Sequence, residues 1–216
     1  MRLPLTTRSQ RRAPDHIGEV VGAATTVYTG QCFEPDELTF PAMPALGSWV
    51  KSRDEETGNI IYGVVSHAAI TPIDSVHRAR ALGLSAEELR QEQPQIFAML
   101  KTDFQVAIVG FESGGGDQTA GLIYQFLPPR PPQIHQAIFN CSNKEVAHFC
   151  QQVEFLRTLL HVRTIPVDEL IAAVIRQCFR AVRRDRTWLI QAGRQLSLLL
   201  RDDYDHLSAI IRKIQA

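Results

Sequence analysis

Residues 58–70 read GNIIYGVVSHAAI and give the clearest indication of the fold class. A run of β-branched and aromatic residues bounded by Gly and Asn is typical of a strand. Similar short runs are IGEVVGAATTVYTGQCF (17–33), LTFPAMPALGSWVKS (38–52), DFQVAIVGFES (103–113) and TAGLIYQFLP (119–128). Several short strands separated by turn residues predict a small, mainly antiparallel β-barrel over residues 16–127.

Two S-x-x-E motifs predict helix starts, because each pairs a capping serine with a glutamate that returns a hydrogen bond. Ser85 and Glu88 place a helix near residues 85–92, inserted in the barrel. After Ser142 and Glu145, apolar residues recur at steps of three and four, which predicts a helical domain over 142–216. The fold class is therefore α+β, a barrel followed by a C-terminal helical bundle.

Two further segments contain no regular pattern. Residues 1–15 carry four arginines and no apolar periodicity, so we expect a flexible basic arm. The run PPRPP at 128–132 predicts a Pro-rich linker over 128–141, because proline removes backbone donors and stiffens the chain.

Charge is distributed unevenly although the whole chain has a formal net charge of zero. Residues 16–142 hold seven positive and 14 negative side chains, whereas residues 143–216 hold 12 positive and eight negative. Such asymmetry favours contacts between copies or with a charged partner. No export signal and no long apolar span is found, so we expect a cytoplasmic protein with four reduced cysteines.

The motifs IGEVVG (17–22), PALGSWV (44–50) and IYGVVSH (61–67) resemble the HAS-barrel, the small barrel of HerA-type DNA translocases and rotary ATP synthase subunits. Residues 74–110 are similar to stand-alone cyanobacterial members that lack the ATPase domain. In ATPase members the barrel precedes the ATPase domain and helps arrange subunits around a ring. The resemblance covers about residues 17–111 and implies a role in assembly, regulation or docking.

No catalytic, cofactor-binding or metal-binding residues are predicted. A phosphate-binding G-x-x-x-x-G-K-[ST] loop is missing, and the Gly-rich run 114–116 is followed by Asp117 and Gln118. The possible ligands His135, Cys141, His148 and Cys150 fit no standard zinc spacing. Asp74 and His77 are close in sequence but lack a recognisable nucleophile motif. An enzyme whose site is assembled from scattered residues is the third-ranked hypothesis.

The strongest charged feature is an arginine cluster near the predicted helices, in which three members at steps of four and three indicate one helix face. Its members are Arg176, Arg180, Arg183, Arg184 and Arg186. A solvated face paired with nearby aspartates is one interpretation, and contact with a partner or with nucleic acid is the other. The leading hypothesis is a non-catalytic assembly module. The alternative is a nucleic-acid-binding protein that uses this cluster together with Arg8, Arg11 and Arg12.

Three glycines lie in the strands that carry the resemblance, namely Gly18, Gly47 and Gly63. Small barrels require sharp bends and close backbone approach, both of which glycine permits. We therefore expect Gly63 to be intolerant of a larger side chain.

Overall fold

The computed structural model describes residues 12–35, 38–73, 80–114, 121–163 and 165–214. Three features of the sequence lie outside these ranges: residues 1–11 of the basic arm, the Asp74 and His77 pair, and residues 115–120 of the Gly-rich loop.

Within the described ranges, the strands are β1 (His16–Ala23), β2 (Val27–Cys32), β3 (Trp49–Arg53), β4 (Ile60–Pro72), β5 (Leu100–Glu112), β6 (Ile123–Tyr124) and β7 (Ala137–Asn140). All pairings are antiparallel, in the order β2-β1-β7-β3-β4-β5-β6. A further pairing of β2 with β5 joins the two ends, so six strands close a barrel. Strand β6 pairs with the end of β5, outside this ring. The predicted α+β fold with a closed antiparallel barrel is confirmed.

The sixth barrel strand is β7, which lies inside the stretch that the sequence assigns to a linker over 128–141. It pairs with β1 on one side and with β3 on the other. The barrel therefore extends past residue 127, and the linker assignment is too long. Proline is confined to the residues before the strand, while the four residues AIFN have backbone N–H groups free to join the ladder.

The run LTFPAMPALGSWVKS (38–52), which the sequence predicts to be a strand, is irregular over most of its length. Only its last part is a strand, since β3 begins at Trp49. Pro41 and Pro44 interrupt the first part, and a proline cannot donate to a strand ladder. Residues 38–48 instead cross the surface without regular structure.

The described helices are α1 (Ala86–Glu92), α2 (Gln95–Ala98), α3 (Asn143–Phe149), α4 (Phe155–Leu159), α5 (Val167–Ala181), α6 (Arg186–Leu199) and α7 (Tyr204–Ile214). Both predicted capping boxes are present, at Ser85 with Glu88 and at Ser142 with Glu145. The helix inserted between β4 and β5 is thus confirmed. No helix in the described part of the chain is long and apolar enough to cross a membrane.

Eleven buried side chains fill the barrel interior, with Tyr28, Phe104, Ile61 and Ile138 among the largest. A second buried cluster lies outside the barrel and joins it to the helices. On β4 and β5, alternate residues enter the two clusters: Ile61 and Ile108 point inward, whereas Tyr62 and Val109 face the helices. Burial on both faces explains why these strands read as continuous apolar runs.

Aromatic contacts within the second cluster join the barrel wall to the helices. Trp49 on β3 lies with its ring centroid 5.2 Å from that of Phe149 and 5.4 Å from that of Phe155. Tyr62 lies 5.0 Å from Phe149. An ion pair between Lys51 of β3 and Glu145 of α3 closes the edge of this interface. The helices therefore share one core with the barrel wall.

Replacement of Gly63 by valine should lower the free energy of unfolding by at least about 1 kcal/mol, because overpacking a close contact is costly. A Cβ atom at Gly63 would lie against Val106 Cγ1 and 2.9 Å from the Ala107 carbonyl oxygen. The conformation at Gly63 is not left-handed, so close approach alone carries the prediction. Thermal and urea unfolding of Gly63→Val measure the loss.

Gly22→Val is the matched control, because a Cβ atom there would meet Thr29 Cβ at an ordinary 3.7 Å. Valine favours strands, so this control should be neutral or mildly stabilising. A melting temperature of Gly63→Val at or above that of the wild type would contradict the tight approach of β4 to β5.

Candidate functional site

The arginine cluster divides into one internal residue and four surface residues. Arg176 is half-buried on α5, and its Nη1 donates to the carbonyl oxygen of Lys213 in the last turn of α7. Helix carbonyls in a last turn have no partner within the helix, so a guanidinium there stabilises the terminus. Arg176 thus holds α7 against α5 and is not a free contact residue.

The same helix pair is joined by a second basic group. Lys213 Nζ pairs with Asp168 and lies 2.6 Å from Glu169 Oε1, both in the first turn of α5. The hydrogen bond from Lys213 lowers the pKa of Asp168, and the two carboxylates raise the pKa of Lys213. Carboxylates at a helix N-terminus also oppose the positive end of the helix dipole. Lys213 at the C-terminal end of α7 therefore forms ion pairs that join α7 to α5.

The other four arginines are exposed and lie around the turn between α5 and α6. Arg180 is in the last turn of α5, and Arg186 is the first residue of α6. Arg183 and Arg184 lie between the helices with φ values of 57° and 61°. The predicted single helix face is therefore interrupted, since α5 ends at Ala181 before Arg183 is reached.

This arginine turn (Arg180, Arg183, Arg184 and Arg186) is held by backbone hydrogen bonds. The amide of Arg184 donates to the Phe179 carbonyl oxygen at 2.7 Å, which closes the end of α5. Asp185 then caps α6, accepting from the Thr187 amide at 2.8 Å. No carboxylate in the described ranges forms an ion pair with these four arginines. The turn is a rigid, positively charged corner of the helical domain.

One arginine of the N-terminal arm also falls within the described residues. The guanidinium of Arg12 lies 3.8 Å from the ring centroid of Phe33, at the end of β2. This cation–π contact holds the arm's last arginine against the barrel. Arg12 and the arginine turn thus lie on different parts of the fold.

Residues 38–46 form an exposed apolar segment on the barrel side, which no sequence motif indicated. Within residues 38–46, Leu38, Phe40, Met43 and Leu46 are 45%, 49%, 52% and 40% exposed. We refer to these four residues as the apolar strip. The signal in the sequence was the spacing LTFPAMPAL itself, in which prolines rule out a central strand while apolar residues continue.

The strip is fixed at both ends. At its start, Arg90 Nε of α1 donates to the Leu38 carbonyl oxygen at 3.0 Å, and the Phe40 ring lies 5.0 Å from the ring of Phe97. At its end, Gly47 has a φ of 77°, and a Cβ atom there would lie 2.9 Å from Ala173 Cβ on α5. Depressions of about 570 Å³ and 440 Å³ flank the strip. It is a preorganised apolar surface.

The candidate metal ligands do not converge. Cys150 is fully buried, with its Sγ 3.0 Å from Cys178 Sγ, and burial raises the pKa of Cys150. His135 lies at the surface, with Nδ1 3.5 Å from Glu19 Oε2. No group of three His, Cys, Asp or Glu side chains in the described residues could hold a metal ion. The Trp188 Nε1 donates to the Cys150 carbonyl oxygen at 2.6 Å, and Trp188 is buried in the same cluster as Cys150.

Comparison with known proteins finds no family model that matches this chain and no curated protein that matches it.

Replacement of Arg183 by glycine should raise the free energy of unfolding by about 1 kcal/mol, because a left-handed conformation is strained for residues with a side chain. Arg180→Gly is the matched control and should destabilise by a similar amount, since glycine weakens a helix. Thermal unfolding of both variants tests this. A fall in melting temperature for Arg183→Gly as large as that for Arg180→Gly would refute the strain at the turn.

Proposed function

We propose that this chain is a non-catalytic assembly module that docks through its barrel, onto a second copy of itself or onto a ring-forming, ATPase-like partner. The observation that carries the proposal is the apolar strip, four half-exposed large side chains held in place on one surface segment. Exposed apolar side chains grouped on one segment are typical of interaction sites in proteins. The resemblance of residues 17–111 to the HAS-barrel supports the same role.

The filled barrel also favours docking over transport of a ligand. Aromatic and branched side chains occupy the interior, and the wall formed by β3, β4 and β5 is covered by helices. Contacts with a partner must therefore use the remaining outer surface, which includes the apolar strip. Aromatic side chains and methionine are enriched in protein interfaces, and the apolar strip supplies Phe40 and Met43.

Of the two partners, a second copy is favoured by charge. The barrel portion of the chain is acidic, with seven positive and 14 negative side chains over residues 16–142, while the arginine turn lies in a basic portion. Opposite charges on two different surfaces of one chain complement each other in a head-to-tail contact. Contacts of that kind close into rings when the rotation between subunits permits.

The strip variant Leu38→Ser/Phe40→Ser/Met43→Ser tests the role of this surface in the full-length chain. Light scattering coupled to size exclusion should show wild-type assemblies that the triple variant weakens by at least about tenfold, because the loss of a central apolar anchor costs more than 1 kcal/mol. The control Leu198→Ser/Tyr204→Ser changes side chains that are 72% and 76% exposed on the helices, and it should leave assembly unchanged.

Pull-down with mass spectrometry covers the partner alternative. Recovery of a ring-forming ATPase with the wild type but not with the strip variant would assign docking to that partner. A wild-type protein that is strictly monomeric and retains no stable partner would refute the assembly proposal. Assembly weakened by the control but not by the strip variant would refute the role of the strip.

Nucleic-acid binding is the second proposal, and the arginine turn favours it, because four exposed arginines converge there. Phosphate contacts release counterions, so binding should weaken steeply as salt rises. Fluorescence anisotropy with single- and double-stranded DNA and RNA measures this. Substitution of the four turn arginines by glutamine should reduce the salt dependence, whereas Arg194→Gln/Arg212→Gln should leave it unchanged. No binding at low salt would remove this proposal.

A further inference from the structure

A cleft of about 710 Å³ lies between the barrel wall and the C-terminal end of α4, and no residue of the apolar strip lines it. Its apolar lining comes from Val27, Ala107, Phe126, Leu127 and Val162. Cavities of roughly 300–1,000 Å³ with apolar walls and a few placed polar groups are the usual sites for small molecules. The size and lining of this cleft meet that description.

The polar groups at the opening are basic. Arg157, His161 and Arg163 line the cleft, and all three are exposed. His161 Nδ1 donates to the Arg157 carbonyl oxygen at 2.9 Å, which fixes the ring beside the end of α4. Among the residues that the structure describes, no carboxylate lines the cleft and neither arginine forms an ion pair with an acidic side chain. Positive charge at the opening is therefore available to a ligand.

Polar groups deeper in the cleft already have partners. Ser66 Oγ donates to the Gln105 carbonyl oxygen at 3.3 Å, and the Ile108 amide donates to the Thr26 carbonyl oxygen at 3.0 Å. The walls thus provide contact area more than hydrogen bonds, so a ligand that is polar throughout would lose hydration without compensation. A wholly apolar ligand would leave the two arginines unused.

We propose that this cleft binds an amphipathic anion, a small molecule with an apolar body on the Val27, Ala107 and Phe126 walls and one anionic head group at Arg157 and Arg163. The head group is a carboxylate or a phosphate monoester, because both accept paired hydrogen bonds from a guanidinium. This site extends the function beyond docking and does not depend on the assembly proposal, since none of its residues belongs to the apolar strip.

Isothermal titration of the full-length protein with decanoate and with decyl phosphate, below their micelle concentrations, tests the site. Saturable binding of one molecule per chain is expected for at least one of the two. Decanol and decyltrimethylammonium share the apolar body but lack the negative charge, and they should bind at least about tenfold more weakly, because a charge-assisted hydrogen bond contributes more than 1 kcal/mol.

Two pairs of variants locate the binding. Arg157→Gln/Arg163→Gln should weaken binding of the tighter anion by at least about tenfold, while Arg194→Gln/Arg212→Gln, which removes the same charge elsewhere, should change it by less than about twofold. Phe126→Ser should weaken the binding of all four ligands, because it removes part of the apolar wall. Leu122→Ser is its control, because Leu122 is similarly exposed but does not line the cleft.

The two head groups distinguish the source of the anion. Tighter binding of decanoate assigns a fatty-acid-like carboxylate, and tighter binding of decyl phosphate assigns a phosphate monoester. Absence of saturable binding by both anions would overturn the proposal. Equal binding of the cationic ligand, or equal loss in the two arginine double variants, would overturn it as well. Melting temperatures of the variants within about 2 °C of the wild type exclude unfolding as the cause.

Discussion

The shared core between the barrel wall and the helices holds the two parts of the molecule together. Trp49, Phe149 and Phe155 meet where β3 lies under α3 and α4, and the fully buried face of α5 completes the same cluster. A small barrel of this size buries a limited apolar area, so burial of its outer wall adds stability that the interior alone could not supply. The helical domain and the barrel therefore pack as one structural unit.

Close packing on both sides of the barrel wall also restricts which residues fit there. Backbone approach at Gly63 and Gly47 leaves no room for a side chain, and each of these glycines lies where the wall meets another element. The surfaces available to partners are consequently those that the helices do not cover. Three candidate surfaces lie at the margins of the shared core: the apolar strip, the arginine turn and the cleft at Arg157 and Arg163.

Much of the fold could be predicted from the sequence because its signals are local. The capping boxes at Ser85 and Ser142 depend on residues three positions apart, and the strand composition of residues 58–70 is unambiguous. Strand β7 could not be predicted in the same way, because four residues after a proline run have no periodicity of their own. Its place in the sheet is set by β1 and β3, more than 80 residues away in the chain.

The candidate sites were less predictable for the same reason. The arginine cluster was visible as composition, but its division into Arg176, which caps α7, and four surface residues depends on where α5 ends. The cleft at Arg157 and Arg163 joins residues from β2, β5 and α4, which no local pattern connects. Sequence therefore indicated the presence of charge, and the tertiary arrangement decided where that charge could meet a ligand.

Closure of the barrel by β7 requires pairing between segments that are far apart in the chain. β1 is synthesised well before β7, so it has only one of its two neighbours until residues 137–139 follow. Folding that waits for such distant pairing is slow, because loop closure is unfavourable before the long-range contacts form. During synthesis, the edges of β1 and β3 that later pair with β7 are open to pairing with other chains. Nascent chains translated side by side on one mRNA would therefore be prone to such intermolecular pairing.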